Sequence, residues 1–370
     1  ALPGPPDIIL VEREMLIEAS KSFGEAQVVE GSEKIASLLV IRKSLSYMNN
    51  FLNAKRPTHT ISQKTIKACR NVLPLCSFWA SKGECKNNIS YMLTNCAPAC
   101  QSCHKIDFNT RCPPRSVNEK PAWQRGDLQR MFNDIVEDKK YAITIHSRSS
   151  QQPQANLISN TALDVQHDPW IITLDNFLTD EECDRIIEMG HKVGYKRSKD
   201  VSYKQRDDGT FEGLENAGRT STNAWCSENN KCRQDLFISS IHDRIQQITD
   251  IPVLNSEDFQ ILKYEEGEFY RTHHDFIDHQ VDRACGPRIL TVFLYLSEVE
   301  EGGGTRFPLL NHTVEPRKGR ALLWPSVMNS DPNQSDQRMK HEALKVIKGT
   351  KFAANAWIHL YNTVDPTRNG

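Results

Sequence analysis

The chain lacks any run of eighteen apolar residues, so no segment is long enough to cross a bilayer as a helix. It lacks bulk charge as well: the net charge is −1 and the mean hydropathy −0.56. With no excess of either sign, the whole molecule carries no field that would draw in nucleic acid or an anionic membrane. It also lacks an initiating methionine and a basic-then-apolar leader ahead of Ala1, the expectation for a mature form freed of its signal peptide or for a trimmed chain. The last six residues, Asp365-Pro-Thr-Arg-Asn-Gly370, hold no endoplasmic-reticulum retention tetrapeptide. Residence there and export both stay open.

Cysteine, by contrast, is plentiful. Of eleven cysteines, seven lie between residues 69 and 112, a density that points to an oxidising compartment. Three sequons agree with that route: Asn88-Ile-Ser90, Asn311-His-Thr313 and Asn333-Gln-Ser335. The expectation is a protein of the secretory pathway, in the endoplasmic reticulum lumen or secreted, glycosylated at Asn88, Asn311 and Asn333. At 370 residues the chain has room for more than one core.

Residues 1–62 begin with Pro3-Gly-Pro-Pro6 and then read as helix. Glu12 to Ala19 is a run of good helix formers, and Ile35, Leu38, Leu39 and Arg42 recur at helical spacing. No chemistry is visible there; the region is expected to pack on another domain or to form a small helical unit. Residues 63–112 hold Cys69, Cys76, Cys85, Cys96, Cys100 and Cys103. A core this small does not offset its own conformational entropy, so disulfides must constrain it, and sequence alone allows fifteen pairings. The spacing, with Trp79 and Gly83 between the second and third cysteines, resembles the ShK toxin-like (ShKT) domain. That resemblance implies the pairs Cys69–Cys103, Cys76–Cys96 and Cys85–Cys100. Asn71 stands where the family usually has Asp. Channel-blocking members carry Lys then Tyr six and five residues before the fourth Cys; Ser90 and Tyr91 occupy those positions here. Without the plugging cation, a binding or spacer module is the better reading. Zinc at Cys100-x-x-Cys103 is disfavoured because thiols in this context oxidise.

Residues 113–165 read as a linker with one helix. Pro113-Pro114 breaks structure after Cys112, and Asp127 to Lys140 sets Leu128, Met131, Phe132 and Ile135 on one face. Ser147 to Gln154 is polar and reads as a loop. In the remaining domain, residues 166–365, Trp170 to Leu174 reads as a strand. Thr179-Asp-Glu-Glu182 is a capping box ahead of a helix that turns Cys183, Ile186, Ile187 and Gly190 inward. Residues 198–218 read as a mobile loop. Cys226 and Cys232 suit a local disulfide before a helix from Leu236 to Ile248. Stretches 259–264, 289–296, 321–324 and 352–360 read as strands. The fold expected is mainly β with flanking helices: a double-stranded β-helix of the jelly-roll type.

Within this domain lies His273-x-Asp275. Residues i and i+2 of an extended segment leave the same face, so an imidazole and a carboxylate converge as two metal ligands must. His341, sixty-six residues beyond Asp275, is the candidate third. Two His and one carboxylate form the facial triad of non-haem Fe(II) oxygenases and leave positions open at the metal. A lone H-x-D is common by chance; the surroundings distinguish this one. Tyr264-x-x-Gly267-x-x-Tyr270-x-x-His273-x-Asp275-Phe276 resembles the iron-binding motif of the prolyl 4-hydroxylase family of 2-oxoglutarate oxygenases. The likeness continues through Arg288-Ile-Leu-Thr291-Val-Phe-Leu-Tyr295, Glu301-Gly-Gly-Gly-Thr305-Arg-Phe-Pro308, His341 and Gly349-Thr-Lys351-Phe-Ala-Ala-Asn-Ala-Trp357. Upstream, Asp175-Asn-Phe-Leu-Thr-Asp-Glu-Glu-Cys183 and Gly218-Arg219-Thr220-Ser221 are similar too. Roughly residues 168–360 take part.

The resemblance implies that His273, Asp275 and His341 hold Fe(II), and that Lys351, with Tyr264 and Thr305, binds 2-oxoglutarate. It places Tyr270, Arg288 and Trp357 along a peptide groove, although core packing is an equally good account of Trp357. It implies ascorbate and dioxygen as further reactants, and a proline-rich peptide as substrate, hydroxylated as 2-oxoglutarate is decarboxylated to succinate and CO2. His274, the variable residue of H-x-D, should point away from the metal. Ala343-Leu344 replaces a Cys-Pro pair often found after the distal His. Two alternatives stand beside the peptidyl-proline reading. The same chemistry could act on another residue or a small molecule, since a fold does not fix a substrate. An inactive oxygenase fold could serve as a binding protein, against which the full triad plus Lys351 argues.

Overall fold

The computed structural model describes residues 12–53, 63–106, 115, 119–148, 169–205, 211–227 and 231–363. Two compact units emerge, one built on Ala1–Pro113 with Ser202–Glu212, the other on Pro114–Val201 and Gly213–Asn369. Among the described residues no helix is long and apolar enough to cross a membrane.

In the first unit, helices Arg13–Ser20 and Lys34–Asn53 form where helix formers and helical spacing place them. Leu16, Val29, Leu38 and Ile41 make a small core, while Phe23, Met48 and Phe51 pack on Cys69, Cys103 and Ile106. The helical region thus lies against the cysteine-rich segment. Backbone bonds join them as well: Asn71 N–H donates to Phe23 O at 2.9 Å and Glu25 N–H to Asn71 O at 2.8 Å. Only glycine fits at residue 24, where φ is +138° and a Cβ would collide with the Asn71 backbone. Short helices Cys76–Ser81, Glu84–Asn87 and Ile89–Asn95 are tied by Cys69–Cys103, Cys76–Cys96 and Cys85–Cys100, the pairing that the ShKT likeness implied. Asn71 is fully buried, and its Oδ1 accepts the Ala99 N–H at 3.2 Å. An amide oxygen therefore does there what a carboxylate oxygen could do, and the departure from Asp leaves the turn intact.

The second unit is a sheet sandwich with helices on one side. Its major sheet runs, edge to edge, Ala142–Ser147, Ile171–Asp175, Ala321–Pro325, Arg288–Tyr295, Lys351–His359, Phe259–Tyr264, Thr222–Cys226 and Lys196–Arg197. The minor sheet runs His312–Val314, Thr305–Phe307, His341–Ala343 and Tyr270–His273. Neighbours within both sheets are antiparallel. Helix Asp127–Glu137 buries Leu128, Met131, Phe132 and Ile135, as its spacing predicts. Helix Asp180–Val193 opens on the expected capping box, with Glu182 N–H donating to Thr179 Oγ1 at 3.2 Å and Thr179 N–H to Glu182 Oε2 at 2.9 Å. Helix Leu236–Thr249 follows the Cys226–Cys232 disulfide. Cys183 and Cys285 are buried and unpaired; Cys112 lies outside the described residues.

Two expectations need correction. The span 198–218 is not a plain loop: strands Asp200–Gln205 and Phe211–Leu214 pair as a two-stranded ribbon, with residues 206–210 outside those described. Such a ribbon is held by main-chain bonds, which polar side chains do not disclose. Ala142–Ser147, passed over in sequence, is an edge strand paired with Ile171–Asp175.

Candidate active site

The site lies between the two sheets of the second unit, and period-2 alternation decides which side chains face it. In Phe259–Tyr264, Phe259 and Ile261 join the helix-covered core, while Leu262 and Tyr264 join the core between the sheets. In Arg288–Tyr295, Leu290, Val292 and Leu294 take the helix side, and Phe293 and Tyr295 the inner side. In Lys351–His359, Ala354, Ala356 and Ile358 oppose Ala353 in the same way. Thr291, Lys351 and Trp357 share the inner parity.

The minor sheet brings the three predicted metal ligands together. His341 pairs directly with His273 across antiparallel strands, and Asp275 follows the end of Tyr270–His273. One ligand atom from each of His273, Asp275 and His341 lies within 4.8 Å of the others. His273 Nε2 is 3.9 Å from Asp275 Oδ1, and His341 Nε2 is 3.6 Å from Asp275 Oδ2. Each imidazole donates its Nδ1–H to a carbonyl two residues back: His273 to Arg271 O at 2.9 Å, His341 to Met339 O at 3.0 Å. These bonds fix the tautomer and leave both Nε2 lone pairs facing the carboxylate. Burial pushes the Asp275 carboxyl up, but His341, His273 and the Thr291 hydroxyl more than offset it and bring it down to about 2. Thr291 Oγ1 donates to Asp275 Oδ2 at 2.6 Å. Burial lowers His273 well below the ordinary imidazole value. Two imidazole nitrogens and one carboxylate facing one another suit Fe(II).

His274 is turned elsewhere. Its Nε2–H donates to Asp336 O and its Nδ1 accepts the Phe276 N–H, both at 2.9 Å, so neither nitrogen is left for a metal. The aromatic ring of Tyr270 stacks on His273 at 3.7 Å, and Trp324 meets His341 edge to face at 4.7 Å.

Lys351 is fully buried, opposite Tyr264 in the neighbouring strand. Its Nζ donates to Gly303 O at 2.6 Å and sits 5.2–5.4 Å from the rings of Phe293, Tyr264 and Tyr295. Gly303 and its neighbour Gly302 have φ of +72° and +78°, the left-handed turn that aims that carbonyl inward. Among the described residues no carboxylate lies within ion-pair distance of the ammonium. Burial accordingly pushes it down to about 7. An interior cation with one carbonyl and three aromatic faces is short of an anion, a charge that the carboxylate of a ligand would complement. Thr305 is buried, its Oγ1 hydrogen-bonded to Tyr295 OH at 2.7 Å. Tyr295 thereby joins Thr305 to the lysine's aromatic box, a link that the motif spacing did not disclose.

Arg288 and Trp357 come together, the guanidinium 3.7 Å from the indole ring, but Arg288 is not free. It forms a two-pronged ion pair with Glu257 at 2.6 and 3.0 Å. His359 completes the cluster, donating to Glu257 Oε1 at 2.6 Å and to Gly286 O at 2.8 Å. With both nitrogens donating, His359 is an imidazolium; burial opposes that charge, but Cys285 and Glu257 raise it to about 10. Sequence reading missed Glu257 and His359. Neither stands at a telling spacing, and only the folded structure brings Glu257, which precedes strand Phe259–Tyr264, against His359.

A model of the 2OG-Fe(II) oxygenase superfamily matches residues 259–359, and a ShK domain-like model matches residues 68–103. The second unit is an oxygenase domain of that superfamily. Probable prolyl 4-hydroxylase 7 of Arabidopsis thaliana is 33% identical over 212 residues, 52% of this chain and 63% of that protein. Probable prolyl 4-hydroxylase 8 of the same plant is 33% identical over 218 residues, 53% of this chain and 71% of that protein. The chain belongs to the prolyl 4-hydroxylase family. Among solved structures, the viral collagen prolyl hydroxylase of Paramecium Bursaria Chlorella virus-1 in its 2OG complex aligns with a TM-score of 0.39 and 24% identity, over 51% of this chain and 95% of that one.

Proposed function

We propose that this protein hydroxylates peptidyl proline at C-4, coupled to decarboxylation of 2-oxoglutarate to succinate and CO2, on proline-rich proteins of the secretory pathway. One observation carries the reading: three facing ligand atoms of His273, Asp275 and His341 share the sheet sandwich with Lys351, a buried cation that has no carboxylate within ion-pair distance among the described residues. Fe(II) held by those ligands supplies the dioxygen chemistry, with ascorbate as reductant. The protein's own groups do the rest. Thr291 holds the Asp275 carboxylate in place, Lys351 receives the far end of 2-oxoglutarate, and Tyr264 and Thr305 belong to the same pocket. Inward-facing aromatic side chains exclude water from it.

In this reading Tyr270 and Trp357 border the peptide groove, Tyr270 stacked on His273 and Trp357 only 5% exposed beside the Arg288 guanidinium. A proline-rich strand loses little entropy on docking because it is already extended in the polyproline II form. Three disulfides in the first unit and exposed asparagines in all three sequons support a location in the endoplasmic reticulum lumen or beyond it. The test is incubation with a panel of proline-containing peptides, Fe(II), ascorbate and 2-oxoglutarate. Hydroxyproline should form one-for-one with succinate. Succinate release that no peptide stimulates would assign the site to another substrate.

A further inference from the structure

The disulfide-bonded unit carries a groove that the oxygenase chemistry does not use. Phe78 and Trp79 from helix Cys76–Ser81, and Tyr91 and Met92 from helix Ile89–Asn95, line it, with Lys82 and Asn88 among its walls. Its volume of about 510 Å³ falls within the roughly 300–1,000 Å³ of small-molecule sites. Trp79 and Tyr91 meet edge to face at 6.1 Å, and Tyr91 is 38% exposed. Lys82 Nζ lies 2.6 Å from Glu33 Oε1 and 5.9 Å from the Phe78 ring. Aromatic surface is thus open to solvent beside a fixed charge pair.

Asn88 is exposed and begins the sequon Asn88-Ile-Ser90. Its backbone is fixed between two helices, the N–H donating to Glu84 O at 2.8 Å and the carbonyl accepting from Met92 N–H at 3.0 Å. The other sequon asparagines differ. Asn311 sits in a left-handed turn with φ +49°, and Asn333 Nδ2 is already 3.4 Å from Asp331 Oδ1.

We propose that Asn88 bears an N-linked oligosaccharide whose first sugars lie in this groove. Their C–H faces rest on Trp79 and Tyr91, and their hydroxyls reach the polar rim at Lys82 and Glu84. The weakly positive C–H face of a pyranose complements the negative face of an indole or phenol ring. Each such contact is weak, but the sugar is tethered. Covalent attachment makes docking intramolecular, at an effective concentration of about millimolar order. In the attachment step Asn88 Nδ2 bonds to C1 of the first sugar, and the C1–O bond to a lipid-pyrophosphate donor breaks. The amide nitrogen gives up one proton, and nothing is oxidised or reduced. In the native cell this rests on the secretory-pathway reading above, since the donor is met there.

The test uses the full chain secreted from eukaryotic cells, so that the host supplies the donor whatever the native location or substrate. N-glycosidase is applied without denaturant, and release is followed by mass spectrometry of the glycopeptides. Asn88 should carry sugar and release it at least several-fold more slowly than the Trp79→Ala, Tyr91→Ala double variant does. Trp79→Phe, which keeps an aromatic face, should retain most of the protection and so separates lost stacking from lost folding. An unmodified Asn88 in the secreted protein overturns the assignment. So does release from the native protein as fast as from the double variant. A proline-rich peptide that binds the glycosylated protein through Trp79 would also overturn it, placing peptide where sugar is assigned. Absence of prolyl hydroxylation, by contrast, removes the catalytic reading and leaves this one standing.

Discussion

The two units hold their important side chains in place by different means. In the first, helices of four to seven residues are tied by three disulfides that close separations of 34, 20 and 15 residues. In the second, the one disulfide among the described residues closes a separation of only six, and its Cys226 lies in the major sheet, whereas His273 and His341 stand in the minor one. There the site depends on strand register: His341 stands opposite His273, and Lys351 opposite Tyr264. A covalent staple tolerates loose packing around it. A register does not, because a slip of one residue turns every side chain to the other face.

The largest effects should come from breaking the register-held site. His273→Ala, Asp275→Ala and His341→Ala are each expected to weaken Fe(II) binding by more than about 100-fold, beyond what loss of an outer partner alone costs. His274→Ala should keep most of the binding, because both its nitrogens already bond to the chain. Iron titration with 2-oxoglutarate under anaerobic conditions checks this. If His274→Ala loses iron while His273→Ala keeps it, the ligand assignment is off by one residue. Thr291→Val removes only the 2.6 Å bond to Asp275, so a loss of roughly 10–100-fold in iron affinity is expected, with the fold intact.

The staple-held unit should respond differently. Cys76→Ser with Cys96→Ser opens the 20-residue separation and should destabilise that unit by about 3 kcal/mol. Turnover of a short peptide in the oxygenase unit is expected to stay within about two-fold, because that unit has its own cores and, among the described residues, no disulfide joins it to the first. Thermal unfolding and succinate release, measured on the same sample, separate the two. Matching losses in both would show that the units are not held independently.

Lys351 sharpens the contrast further. Lys351→Ala should weaken 2-oxoglutarate binding by roughly ten-fold to over a hundred-fold, the worth of a charged hydrogen bond at about 1.5–3 kcal/mol, while peptide affinity changes far less. Equal weakening for both would reduce Lys351 to a structural role. The smallest effect is in pH. Burial lowers the Lys351 ammonium to about 7 in the ligand-free protein. Below that pH it is already charged and ready for a carboxylate; above it, a proton must be taken up on binding. Affinity for 2-oxoglutarate should therefore fall as pH rises, by roughly five-fold between pH 7 and 8. Calorimetry in buffers of different ionisation enthalpy reads the proton uptake directly, and pH-independent binding without uptake would contradict the buried-cation account.

How much of this was legible in the chain depended on how each feature is encoded. The cysteine density marked a disulfide-held module and the ShKT likeness implied its pairing, while the H-x-D motif with its surrounding glycines and tyrosines marked the candidate ligands. Long strands such as Arg288–Tyr295 and Lys351–His359 showed in their β-branched and aromatic content. These are local signals. The minor sheet left almost none: its strands are three or four residues long, too short for a period of two to declare itself. Nor could spacing show that Arg288 is engaged by Glu257 and His359, which stand 31 residues before it and 71 after. Residue identities determined which groups are available to hold a metal, a carboxylate or a sugar. Only the tertiary structure decided which stand face to face and which are already partnered, because distances between strands far apart in sequence are set by register and burial, and neither is a local property of the chain.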